Sequence, residues 1–296
     1  MPLSSMYAQP NCNDFKSVAR ALTVVENDLQ GANDLLKGLT FIKNTPVIGI
    51  TGPPGAGKST LLNALIGHLH GGEKKIAVLA IDPTSPFNFG SLLGDRIRMA
   101  THFNHPDIFI RSLAARGSLG GLSAKTIEMT DVLRAAGFDY VLVETVGVGQ
   151  SEVEVAGLAD LTFLVLVPES GDEVQGMKSG LMEIADAFIV NKADRPDAEL
   201  FANNLAKIIH QSGGDNTPVF KTIATKNEGV SEIAGYITST GHKGNHRKEF
   251  LLAEKAYRII QQKRMADVDK KKLVERLTEA MQDARFNLYA FAGKYF

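Results

Sequence analysis

Residues 52–59 read Gly-Pro-Pro-Gly-Ala-Gly-Lys-Ser, followed by Thr60, and match the pattern G-x-x-x-x-G-K-[ST]. Each residue type has a chemical task. Gly52, Gly55 and Gly57, with Pro53, Pro54 and Ala56 between them, let main-chain N–H groups turn toward an anion. The helix expected to open near Lys58 adds its positive end. Lys58 supplies a point charge for outer phosphates, and the Ser59 hydroxyl is a ligand of the kind Mg²⁺ takes. A glycine-rich turn with an incidental lysine is the bland alternative. The apolar run before the loop and the helical pattern after it favour a nucleoside triphosphate.

A second cluster chooses the base. Asn191-Lys192-Ala193-Asp194 ends the apolar run AFIVNKAD. A carboxylate at Asp194 can accept both the N1–H and the N2 amino hydrogens of guanine. Adenine presents an acceptor at N1 and has no N2 amino group, so it is rejected. Lys192 is expected to lay its stem along the base and Asn191 to tie loops together; a solvated turn is the competing reading. Nucleotide-binding loops often close this site with a Ser-Ala pair. Here Ile223 takes the serine's place, and the Ala224 N–H is expected to meet the guanine oxygen.

Carboxylates for a hard cation are also at hand. Asp82 ends KIAVLAID and Asp95 lies in SPFNFGSLLGDRIRM; both are expected to serve Mg²⁺ directly or through water. Aspartate before proline is common in turns, which is the alternative for Asp82. Glu144-Thr-Val-Gly147 follows the run YVLV. Glu144 can reach a metal-bound or attacking water, and the Gly147 amide can sense a terminal phosphate. Val148 stands where a glutamine would complete such a site, so slow turnover is expected unless a partner completes it; Gln150 is a lesser choice. Arg111 to Gly121 is glycine-rich and cationic, suited to fold over phosphates or meet a partner. Asp172, Glu173, Gln175 and Lys178 lie in a charged segment with little core, expected to respond to bound nucleotide.

The elements that must position these residues follow from period and composition. The chain has 296 residues, 44% hydrophobic, with a net charge of -1, enough apolar content for a sizeable core and no global field for nucleic acid. One cysteine, Cys12, excludes an internal disulfide. No apolar run reaches the ~18 residues of a membrane helix, and the start lacks a signal-peptide stretch, so a cytoplasmic protein is expected. PVIGITG, KIAVLAID, DIFIRS, YVLVET, LTFLVLV, AFIVNK and TPVFKTIA are short apolar runs with helical segments between most of them. That alternation predicts an α/β fold, a P-loop NTPase with a mostly parallel sheet and helices on both faces. N- and C-terminal helical extensions are expected over 1–45 and 241–296, around a nucleotide domain at 46–240. Val18, Leu22, Val25 and Leu29 are predicted on one stripe of a first helix capped by Asp14. Leu273, Leu277 and Met281 share a face near the end.

The ordered set GPPGAGKST, IDPTSP…GDRIRM, RGSLGGLS, ETVGVGQSE, GDEVQGMKSG and NKAD resembles that of the MeaB-like GTPases, the methylmalonyl-CoA mutase-associated proteins once linked by name to arginine or lysine/ornithine transport. The resemblance runs from about Ser17 to the 230s. It implies a homodimeric GTPase that guards adenosylcobalamin in an acyl-CoA mutase. It also implies loop ligands at Lys58 and Ser59, metal-region carboxylates at Asp82 and Asp95, and a switch glutamate at Glu144. A relay segment is implied from Asp172 through Lys178, followed here by Ser179 where the family often has lysine. A transport-associated ATPase or kinase is a weaker reading, because NKAD selects guanine. A metallochaperone GTPase would want a cysteine- or histidine-rich site, whereas the seven histidines are scattered along the chain, with His102 and His105 close together.

Overall fold

The computed structural model describes residues 9–82, 99–114, 124–145, 157–170, 185–211 and 217–240, with Val155, Ala253 and most of 256–295. Strands β1 (Val47–Thr51), β2 (Ile76–Asp82), β3 (Ile108–Ala114), β4 (Tyr140–Thr145), β5 (Leu161–Leu166), β6 (Ala187–Asn191) and β7 (Val219–Thr222) form one sheet. Its order is β3-β2-β4-β1-β5-β6-β7, and every pairing is parallel. Strands β1, β4, β5 and β6 are buried at every position, which is why they read as continuous apolar runs rather than alternating ones.

Helices α1 (Phe15–Glu26), α2 (Ala32–Lys37), α3 (Lys58–His70), α4 (Ala124–Ala135), α5 (Ala198–Gln211) and α6 (Val230–Thr240) belong with the sheet. On one face, Leu61, Leu62 and Leu65 of α3 and Ile233 and Ile237 of α6 pack on Ile48, Ile50, Phe163 and Val165. On the other, Leu205 and Ile209 of α5 cover Leu164, Leu166, Phe188 and Val190. The expected α/β sheet with helices on both faces is therefore present. Gly49 marks a close approach in β1: a Cβ there would stand 2.8 Å from Val155 Cγ2.

Asp14 caps α1 as expected, accepting from the Lys16 and Ser17 N–H groups at 3.0 and 3.3 Å. The stripe stops sooner than its period suggests. Val18, Leu22 and Val25 are buried, but the helix ends at Glu26, Asp28 turns into the left-handed region at φ 52°, and Leu29 is exposed. Arg111, in the run DIFIRS, lies in β3 as that run implies and pairs with Glu26 of α1, so it fastens the N-terminal helix. Residues 115–121 of the stretch expected to cover phosphates or meet a partner lie outside the described residues.

The chain divides into two compact units, 1–251 and 252–296. The second contains α7 (Lys270–Ala280), capped by Asp269, and α8 (Leu288–Ala292). Within it Phe291 is buried between Phe286 and Tyr295, Leu273 and Leu277 are half-buried, and Met281 is exposed.

In the first unit the chain leaves β1 toward β2 on one side, while β5 lies on the other. Such a switch in strand direction opens a crevice beyond the carboxyl ends of the strands.

Candidate functional site

The crevice is built from residues that immediately follow the strands. After β1 the loop needs conformations that only glycine adopts freely: Gly52 has φ 142°, Gly55 77° and Gly57 86°. A Cβ on Gly52 would lie 2.1 Å from the Val165 carbonyl oxygen, and one on Gly57 2.4 Å from Asn191 Nδ2. Pro53 and Ala56 are buried, Pro54 and Gly55 are exposed, and Thr60 is half-buried at the start of α3. Gly57 is the N-cap of α3 and gives it no side-chain cap. First-turn amides of such a helix are free of intrahelical partners, which suits an anion.

Lys58 is buried, and its ammonium donates to the carbonyls of Gly52 and Pro53 at 2.7 and 2.9 Å. The lysine that would balance phosphate charge is thereby aimed by the loop it serves. Ser59 Oγ donates to Glu144 Oε1 at 2.6 Å, and both residues are buried. This contact spans 85 residues of sequence and exists because β4 lies beside β1, with Ile50 opposite Glu144. The serine keeps its lone pairs, so hydroxyl and carboxylate present adjacent hard oxygens that fit a Mg²⁺ ion. Behind them Thr145 Oγ1 donates to Thr51 Oγ1 at 3.0 Å, fastening the two strand ends. That threonine pair went unread in the sequence, where its only signal is a threonine closing each of two apolar runs.

The base-side loop is joined to the phosphate loop through Asn191. Its Nδ2 donates to the Ala56 carbonyl at 2.9 Å, while its Oδ1 accepts from Thr222 Oγ1 at 3.1 Å and the Ala224 N–H at 3.3 Å. Lys192, at φ 56°, reaches back to donate to the Gly55 carbonyl at 2.8 Å. Asp194 is exposed in the same turn. The Ala224 amide, expected to face a guanine oxygen, is directed at Asn191 here. The loop lacking the usual serine gains its support elsewhere: Ile223 and Glu228 exchange main-chain hydrogen bonds at 3.0 and 3.3 Å. Next to it, Arg195 pairs with Glu169 after β5. Glu169's own backbone N–H and that guanidinium hold its carboxyl below the usual carboxylate range.

The remaining expected residues divide simply. Asp82 is described only as the last residue of β2, without its side chain, while Asp95, Gly147, Gln150, Asp172, Glu173, Gln175 and Lys178 lie outside the described residues. The histidines are less scattered than they read in the sequence: His70 and His105 meet with ring centroids 4.6 Å apart.

A parallel sheet with a phosphate loop after β1 and a guanine-type NKAD turn after β6, joined through one buried asparagine, defines a P-loop GTPase. Residues 18–282 match the family model described as methylmalonyl Co-A mutase-associated GTPase MeaB, and the chain belongs to that family. A putative GTPase of Pyrococcus abyssi is 49% identical over 74% of this chain and 70% of its own length. One from Pyrococcus horikoshii is 45% identical over 86% and 82%. Among solved structures, a LAO/AO transport system kinase superposes with a TM-score of 0.62 at 25% identity, covering 96% of this chain and 92% of that one.

Proposed function

We propose that this GTPase is a nucleotide-driven switch for an adenosylcobalamin-dependent acyl-CoA mutase, coupling GTP + H₂O → GDP + phosphate to the mutase's cofactor state. The observation that carries the hydrolytic half is the buried Ser59–Glu144 contact beside a lysine aimed by its own loop. Lys58, with the main-chain N–H groups between Gly52 and Thr60 other than at Pro53 and Pro54, which have none, binds the phosphates, and Asp194 and Lys192 receive the guanine. The Ala224 amide turns from Asn191 to the guanine oxygen, or is shared with it. Ser59, Glu144, Asp82 and Asp95 would hold Mg²⁺, directly or through water, and the ion would offset charge on the outer phosphate oxygens. Glu144 orients the attacking water. As the water oxygen bonds to the γ-phosphorus, the bond to the β-phosphate oxygen breaks and the water's proton leaves with the phosphate product. Gly147, Gln150 and the segment carrying Asp172, Glu173, Gln175 and Lys178 act as the nucleotide-sensing switches.

The client half rests on the mutase association in the family's description. We further read the protein as a cytoplasmic homodimer, assembled through its C-terminal arm, that binds neither membrane nor nucleic acid. In support of the dimer, Tyr257, Ile260, Val274, Leu288 and Tyr289 of that arm are exposed. Among the described residues no helix is long and apolar enough to cross a membrane. The test is retention of an adenosylcobalamin-dependent acyl-CoA mutase on the full chain loaded with GDP or with a non-hydrolysable GTP analogue. Retention should depend on the nucleotide; no retention in either state refutes the client assignment. Sedimentation showing only monomer at micromolar concentration refutes the dimer.

A further inference from the structure

Three metal-ligating side chains converge at the opposite end of α3 from the phosphate loop. His70 is the last residue of that helix, and His105 and Asp107 precede β3. One ligand atom from each lies within 4.8 Å of the others, and all three residues are half-buried, so solvent can deliver an ion to them. His70 Nε2 stands 3.4 Å from Asp107 Oδ2. Two donors at about 2.0–2.1 Å on a tetrahedral ion are themselves about 3.4 Å apart, so this pair already has ligand spacing.

The surroundings hold the set in its metal-free arrangement. Lys75 Nζ lies 3.7 Å from Asp107 Oδ1, the oxygen turned away from His70, and thus leaves Oδ2 for an ion. The Gly72 N–H donates to His70 Nδ1 at 3.1 Å, and the Asp107 N–H to His105 Nδ1 at 3.2 Å. Each neutral ring therefore carries its proton on Nε2. Taking an ion on Nε2 moves that proton to Nδ1, where it would face the amide hydrogen, so each ring must also turn away from its amide as the ion binds. Two imidazoles and one carboxylate suit a borderline divalent ion better than Mg²⁺, which prefers oxygen alone.

We propose that His70, His105 and Asp107 form a binding site for one divalent first-row transition ion of the zinc class. The site is distinct from the nucleotide site. The 13 residues of α3, at about 1.5 Å each, put the two on the order of 20 Å apart. A bound ion joins the end of the phosphate-binding helix to the segment before β3, so its occupancy raises the stability of the first unit.

The full chain, stripped with chelator and saturated with GDP and Mg²⁺ to fill the nucleotide site, is titrated with ZnCl₂ by calorimetry. The expected result is one Zn²⁺ per chain, with affinity falling at least about tenfold in His105→Ala, His105→Gln and Asp107→Asn. Thermal unfolding should rise with Zn²⁺ in the wild type and not in these variants, while GDP affinity stays unchanged and reports that they fold. In histidine ¹⁵N spectra, Nε2 of His70 and His105 should change from protonated to metal-bound. Absence of saturable Zn²⁺ binding overturns the proposal. So does stoichiometric binding that survives any of the three substitutions with affinity intact.

Discussion

Replacing Asn191 by alanine tests whether one side chain couples the phosphate loop to the base loop. The carboxamide makes three hydrogen bonds, to the Ala56 carbonyl at 2.9 Å, from Thr222 Oγ1 at 3.1 Å and from the Ala224 N–H at 3.3 Å. Asn191 and all three partners are buried. At a net ~1 kcal/mol per bond the loss is about 3 kcal/mol, and a water admitted to the space left behind reduces it to about 2–3 kcal/mol. For a domain of this size that is a fall in Tm on the order of 5–10 °C. GDP affinity should fall at least about tenfold, because the ligand must now order two uncoupled loops; a tenfold loss corresponds to about 1.4 kcal/mol. Thr222→Val, which removes one of the bonds, should cost about 1 kcal/mol. Its effect should nearly vanish in the Asn191→Ala background, since the hydroxyl's partner is already gone. Calorimetric GDP titration and thermal unfolding of the four chains measure this. Additive effects of the two substitutions, or GDP affinity unchanged by Asn191→Ala, would refute the coupling.

The other expectations concern charge and hydroxyl chemistry. Lys58→Ala should abolish GTP binding, whereas Glu144→Ala should keep GTP affinity and slow single-turnover hydrolysis by at least about a hundredfold, as loss of a water-orienting group does; equal hydrolysis would remove the role given to Glu144. GTP should raise Tm and ATP should not. In Asp194→Asn the preference should pass from guanine toward xanthine, whose C2 oxygen accepts from the new amide, and retained GTP selectivity would exclude Asp194 as the reader of the base. A pH effect is expected from Asp139, the residue just before β4. Burial pushes its carboxyl up, but the Lys75 N–H at 2.8 Å and the Lys43 ammonium at 3.1 Å outweigh that and hold it below its ordinary 3.8. A depressed carboxylate stabilises the fold above its unfolded value. The stability difference between wild type and Asp139→Asn should therefore be full at neutral pH and shrink as pH falls below 3.8 toward the lower folded value. A difference that stays constant down to pH 2 would contradict this assignment.

What could be read from the sequence and what could not divide along a physical line. Seven apolar runs announce the strands, and the four that are buried at every position, β1, β4, β5 and β6, do so most plainly, since burial on both faces is a property of each segment alone. The phosphate loop is legible for the same reason: its glycines, lysine and serine act within eight consecutive residues. Asn191 was legible as a tie but its partners were not, because Ala56 and Thr222 reach it only once β6 and β7 have taken their places in the sheet. The contact between Ser59 and Glu144 is hidden more deeply. It requires β4 to insert beside β1 although two strands intervene in the chain, and strand order is a choice among whole-chain arrangements that no local period encodes. The partner of Arg111 is not legible either, because Glu26 arrives from a different helix. His70 and His105 fail in the same way, since the end of α3 and the start of β3 become neighbours only through the sheet. Local chemistry is thus announced by adjacent residues. The pairings that switch it on belong to the topology, so substitutions at Glu144, Asn191 and His105 probe the fold and the function together.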